Sequence, residues 1–161
     1  MRRNCHAGFT LVEILVALFV LAVGVVGAAA AQSMAAQTRV ASARLSAAVA
    51  LAQALAEAMA ANPVQLGLPD ADKVYLQTAG PAWHCGGACT PAQLAATERD
   101  EAAAMAARSF PGGRLRVCRD RLALPLAWDC GGGPDAPLVV KIGWRAPDFL
   151  AMVAVPVPEA P

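Results

Sequence analysis

A block of apolar residues runs from Phe9 to Ala31, 23 positions whose only charge is Glu13. Coiled as a helix it is roughly 34 Å long, enough to cross a bilayer core of about 30 Å. From Gln32 to Ala61 neither proline nor glycine occurs and alanine, the best helix former, dominates. Ala41, Leu45, Ala48, Ala52, Leu55 and Met59 recur at helical spacing, and Ser42, Ser46, Gln53 and Glu57 keep the same period on another face. The two patterns are continuous. They predict one rod of about 80 Å from Phe9 to Ala61, closed by Asn62-Pro63 because the residue before proline is pushed out of the helical region. Gly24 and Gly27 lie inside it as soft points or close-packing sites.

Beyond the rod, Pro63 to Gly87 is punctuated by glycine and proline and is expected to be irregular. Thr90-Pro91-Ala92-Gln93 reads as a helix start, with Thr90 as N-cap, Pro91 in the first turn and Gln93 closing a capping box. This helix should run to about Arg108 and stop before Phe110-Pro111-Gly112-Gly113. The period then changes to two. Leu115 and Val117 alternate with Arg114, Arg116 and Cys118, and Leu138, Val140, Ile142 and Trp144 alternate with Val139, Lys141 and Gly143. Phe149 to Val157 is a third apolar strand, placed at an edge because Pro156 and Pro158 cannot donate to a ladder. Short connections favour an antiparallel sheet packed on the second half of the rod. The expected fold is α+β: a long helix whose first half spans a membrane, carrying a small antiparallel head.

Charge changes this picture little. Of the 13 Lys and Arg, Arg2 and Arg3 precede the span, leaving 11 basic against 12 acidic residues from Phe9 onward. Such a balance gives no electrostatic case for nucleic acid. The run Arg114, Arg116, Arg119, Arg121 reads as the solvated side of a strand. Arg2 and Arg3 lie before the span and the next cation is Arg39, so the N-terminus is expected on the cytoplasmic side.

Candidate chemistry concentrates at two places. A carboxylate inside a spanning helix costs about 2.5–3.5 kcal/mol at mid-bilayer, so Glu13 needs a compensating partner. The five cysteines are Cys5, ahead of the span, and Cys85, Cys89, Cys118 and Cys130 beyond it. An even set in an exported region reads as a disulfide framework with three possible connectivities. Cys85–Cys89 and Cys118–Cys130 are favoured, since each pair is close enough in sequence to staple a local loop. His84 beside Cys85 and Cys89 offers a metal or thiol alternative, but the spacing forms no pair of C-x2-C knuckles. No nucleophile–base pair, phosphate-cradling loop or paired carboxylates stand out, so neither catalysis nor a cofactor is expected.

Gly8-Phe9-Thr10-Leu11-Val12-Glu13 resembles the N-terminal motif of the type IV pilin family. The resemblance implies a leader of residues 1–8, cut by a prepilin peptidase between Gly8 and Phe9, with N-methylation of Phe9. It also implies that Glu13 of one subunit meets the N-terminus of its neighbour and sets the axial register. The expected organisation is then leader 1–8, helix 9–62 (9–31 transmembrane, 32–62 amphipathic) and head 63–161. Two rivals are a secretory signal peptide cut near Ala28-Ala29-Ala30 and a plain membrane anchor. Against the first stand the length of the span and the helical pattern that continues past the supposed cut.

Val23-Gly24-Val25-Val26-Gly27, the helix end Leu51 to Pro63 and Cys89 to Ala96 are further similar to the type IV pilus modification proteins, the PilV-like minor pilins. Ala58 and Ala60 stand where that family usually carries arginine, and Thr97-Glu98-Arg99-Asp100 departs from its pattern. The resemblance implies a minor pilin that helps initiate or cap pilus assembly. It would pass from the inner membrane, head in the periplasm, to the surface pilus. Implied partners are other major and minor pilins, the prepilin peptidase, the inner-membrane assembly platform and, as a further candidate, a tip adhesin. The alternatives are a minor pseudopilin of type II secretion and, in a different class, a membrane-anchored periplasmic thiol or metal-binding protein.

Overall fold

The computed structural model describes residues 10–78, 85, 87–146 and 150–158. Helix α1 runs unbroken from Leu11 to Ala60, straight through Gly24 and Gly27, so neither glycine breaks it. The chain divides into two compact units, one up to Ala43 and one from Arg44 onward. In the first unit α1 is long and apolar enough to cross a membrane by length and composition. Its apolar side chains are exposed throughout, Leu11, Phe19 and Val26 among them.

The second unit is an α+β head. On α1 the buried positions are Ala48, Ala52, Leu55, Ala56 and Met59, while Ser46, Gln53 and Glu57 are exposed as the pattern requires. Ala41 and Leu45, expected on the buried face, are instead exposed. The core that covers this face takes in α1 residues only from Ala48 on.

The segment expected to be irregular holds two short elements, α2 (Pro63–Leu66) and a 3-10 turn (Val74–Leu76). Asn62 ends α1 and at once caps α2, its side-chain oxygen accepting from the Gln65 N–H. Proline at the first position starts the new helix, because its missing N–H is one that a first turn leaves unpaired anyway. Helix α3 (Pro91–Ser109) opens with both halves of the Thr90/Gln93 capping box. It stops at Phe110, where Gly112 takes a φ of +61° and a Cβ on Gly113 would lie 2.0 Å from the Ala106 carbonyl oxygen. Only glycine fits that turn.

Three antiparallel strands follow, β1 (Arg114–Arg119), β2 (Leu138–Arg145) and β3 (Leu150–Pro156), in the order β1-β2-β3. The register sets Leu115 opposite Ile142, Val117 opposite Val140, and Val153 opposite Ile142. These residues share the core with α1, α3 and Tyr75, closed at one end by Phe110 against Trp144, ring centroids 5.4 Å apart. The alternation on β2 predicts one solvated face, yet Val139, Lys141 and Gly143 are buried as well. The second face is covered by the connection between β1 and β2, whose Trp128 ring would lie 3.0 Å from a Cβ at Gly143.

Candidate functional site

Thr10 heads α1, and the Glu13 N–H donates to its Oγ1 at 3.4 Å and to its carbonyl at 3.1 Å. Glu13 therefore sits in the first helical turn, where a carboxylate is favoured by the unpaired N–H groups and the helix dipole. Its side chain is exposed, on a helix whose neighbouring side chains, Val12, Ile14 and Val16, are exposed and apolar. Gly8 and Phe9, the residues of the expected cut, lie outside the described residues, as do Cys5 and His84. What the first unit presents is an apolar helical surface carrying one carboxylate near its start.

The head is fastened by polar groups that the sequence pattern did not single out. Asn62 is buried and its Nδ2 donates to the Pro91 carbonyl at 2.9 Å and to the Tyr75 hydroxyl at 3.5 Å. Tyr75 in turn donates to Glu98 at 2.5 Å. Burial, and then that bond to Glu98, push the Tyr75 hydroxyl well above the ordinary tyrosine range. The Gln65 side chain accepts from the Val74 N–H at 3.0 Å. One asparagine thus joins the end of α1, the start of α3 and the 3-10 turn.

Arg99 is buried on α3. Its Nη1 donates to the carbonyls of Val74 at 2.7 Å and Gln77 at 3.1 Å, and its Nε donates to Asp100 at 2.9 Å. Nη2 lies 2.8 Å from the same Asp100 oxygen but is not aligned for a hydrogen bond. The basic run on β1 is likewise not simply solvated. Arg119 forks onto Asp70, Nε to Oδ2 at 2.5 Å and Nη2 to Oδ1 at 3.0 Å, and Nη1 donates to the Ala136 carbonyl at 2.6 Å. The Arg119 bond, with Lys73 adding to it, holds the Asp70 carboxyl down at about 2. Arg114 stacks over Trp128, its Cζ 4.0 Å from the ring centroid.

Among the described residues two disulfides occur, Cys85–Cys89 with Cα atoms 5.9 Å apart and Cys118–Cys130 with Cα atoms 6.1 Å apart. The first lies ahead of α3, with Cys85 exposed; the second ties the covering connection to β1. Under that connection lies Lys141, 1% exposed, ion-paired with Asp120 and donating to the carbonyls of Ala127 at 2.8 Å and Asp129 at 2.9 Å. Its bond to Lys141 holds the Asp120 carboxyl below the usual carboxylate range. The apolar neighbours Val139, Val140 and Ile142 were the available signal that Lys141 would be buried; nothing local pointed to Arg99. Among the described residues no group of three His, Cys, Asp or Glu side chains is placed to hold a metal ion.

Residues 3–29 match the prokaryotic N-terminal methylation motif. That match supports a type IV pilin-like protein, a pilin or pseudopilin, and points to a structural subunit rather than an enzyme. The long apolar helix followed by a three-stranded antiparallel sheet is consistent with a type IV pilin fold. No curated protein and no solved structure matches the chain.

Proposed function

We propose that the chain is a minor type IV pilin, cut between Gly8 and Phe9, N-methylated at Phe9, and built into the pilus where it helps initiate or cap assembly. The carrying observation is the methylation motif over residues 3–29, with Glu13 as the lone charge in the first turn of an apolar helix. A peptidase cut before Phe9 creates an α-ammonium beside an apolar surface. The Glu13 carboxylate of an adjoining subunit neutralises it, since an unpaired buried charge costs about 3–5 kcal/mol. Partners are other pilins along α1, the prepilin peptidase and the inner-membrane assembly platform, with a tip adhesin as a further candidate. The PilV-like assignment draws support from Asn62, because the segment resembling that family's helix end is the one that fastens α1 to α3.

The test is N-terminal mass analysis of the exported protein together with gene deletion. A start at methylated Phe9 and reduced surface piliation are expected. A start after Ala30 or a retained Met1 removes the reading. The methylation motif equally favours a minor pseudopilin of type II secretion, for which deletion blocks export of folded enzymes and leaves pili intact.

A further inference from the structure

Two cavities meet at one arginine beside β1. The smaller, about 90 Å³, is lined by residues of the 3-10 turn, α3 and Leu115–Val117. The larger, about 350 Å³, is lined by Asp70, Thr78, Arg116–Arg119 and the Gly132–Pro134 segment. Leu76, Thr78, Arg116 and Val117 line both, so the two form one groove along β1.

β1 ends the sheet on this side. The Asp120 N–H donates to the Pro137 carbonyl, on the β2 side, whereas the Arg119 carbonyl accepts from the Gly132 N–H. Alternation along an antiparallel strand then turns the N–H and C=O of Val117 and Leu115 away from β2 as well. Neither residue makes a backbone bond on that side among the described residues.

Three guanidiniums and two carboxylates line the groove. Arg99 is held by Asp100 and Arg119 by Asp70. Arg116 is half-buried, and among the described residues its guanidinium has no hydrogen bond or ion pair. Its partner across the ladder is Lys141, a second cation. Like charges placed opposite one another destabilise a sheet, and a partly desolvated guanidinium without an acceptor adds to that cost. Asp120 answers the Lys141 charge, but among the described residues no carboxylate meets the Arg116 guanidinium.

We infer that this groove receives an acidic side chain from another polypeptide, its carboxylate seated on Arg116 and its backbone within reach of the outward groups of Val117. Arginine suits the role because its planar fork meets a carboxylate through two parallel hydrogen bonds. The outward backbone groups favour a polypeptide over a free anion, which would leave them unused. That the polypeptide is a neighbouring subunit rests on the filament reading; the carboxylate site does not.

The isotope-labelled full chain in detergent micelles, titrated with acetyl-Val-Glu-Val-amide, its Gln counterpart and acetate, tests this. The Glu peptide should shift the Arg116 Nε–H and Val117 amide resonances and bind about tenfold tighter than either comparison ligand, the worth of a charge-assisted hydrogen bond. Arg116→Gln should abolish the preference, and Arg116→Lys should keep only part of it. Acetate binding as well as the Glu peptide overturns the polypeptide assignment. No saturable shift with any probe, or an unchanged preference in Arg116→Gln, overturns the site itself. Peptide binding in a chain whose deletion leaves pili intact would defeat the pilus reading alone.

Discussion

The side-chain nitrogen of Asn62 donates to the carbonyl of Pro91 at 2.9 Å, across 29 positions of sequence, and so binds the end of the long helix to the first residue of α3. The same side chain caps α2. Asn62→Ala should therefore lose three bonds, to the Pro91 carbonyl, the Tyr75 hydroxyl and the Gln65 N–H, destabilising the head by about 1–3 kcal/mol. Thermal melts followed by circular dichroism measure this. A melting temperature within error of wild type would show that the bond contributes nothing.

Lys141→Met keeps the length of the side chain but strands the Asp120 carboxylate and two loop carbonyls. Breaking a buried pair from one side costs about 3–5 kcal/mol. The double variant Lys141→Met/Asp120→Asn should recover part of the loss, because it no longer leaves a charge alone. Denaturant titration of both variants gives the comparison, and equal stabilities would mean the ion pair is not the source.

The two disulfides should differ in worth. Cys118–Cys130 has a sequence separation of 12 and Cys85–Cys89 a separation of 4. Loop-closure entropy assigns about 3 kcal/mol to the longer ring and about 2 kcal/mol to the shorter. Cys118 is also buried, whereas Cys85 is exposed. Paired Cys→Ser variants should thus lower the melting temperature more at 118/130 than at 85/89. The reverse order would mean that loop length does not govern the difference.

Asp70 gives the head an acid-side dependence. Its carboxyl is lowered from 3.8 to about 2, chiefly by Arg119. The stability it contributes is complete above pH 3.8 and is lost as pH falls toward 2. Asp120, lowered by Lys141, acts in the same direction. Asp70→Asn should flatten the fall in stability between about pH 4 and pH 2 without abolishing it, because Asp120 still titrates. An unchanged acid profile in that variant would exclude Asp70 as a contributor.

Under the filament reading, Glu13→Ala should still insert and be cleaved, since a more apolar span enters the bilayer more readily. It should fail at assembly and accumulate as processed subunit in the inner membrane. Immunoblots of sheared pili against membrane fractions read the outcome. Wild-type incorporation would mean either that this subunit has none above it or that the charge pair does not matter. Crosslinking of its head to an overlying subunit separates the two.

Local rules gave much of the fold. Thr90, Pro91 and Gln93 mark the start of α3 because a capping box is written in four consecutive residues. The strands follow from alternation, and the end of α1 from Asn62-Pro63. Other features depend on partners far away in sequence. The apolar run around Lys141 hints at burial, but strict alternation puts it on the solvated face until the 120–137 connection folds over it with Asp120 and two carbonyls. Arg119 reads as a surface charge until Asp70 arrives beside it, and nothing local marks Arg99 before Val74 and Gln77 do. Even the second helix after Asn62 was hidden, because the proline that stops one helix also begins the next.

The two sides of the core are unequal in bulk. From α1 and α3 the buried residues are mostly methyl-sized, Ala48, Ala52, Ala56, Ala95, Ala102 and Ala106, while the sheet supplies Leu138, Val140, Ile142 and Trp144. Alanine surrenders no rotamer freedom on burial, so the helices enter the core at little entropic cost. It also leaves no slack. A larger residue at Ala48 or Ala52 has nowhere to turn and must displace the helix, whereas a smaller residue on the sheet leaves a hole that its neighbours can partly close. Sequence drift in this head is therefore gated in opposite directions on its two walls: the helical wall admits no growth, and the sheet wall tolerates limited loss.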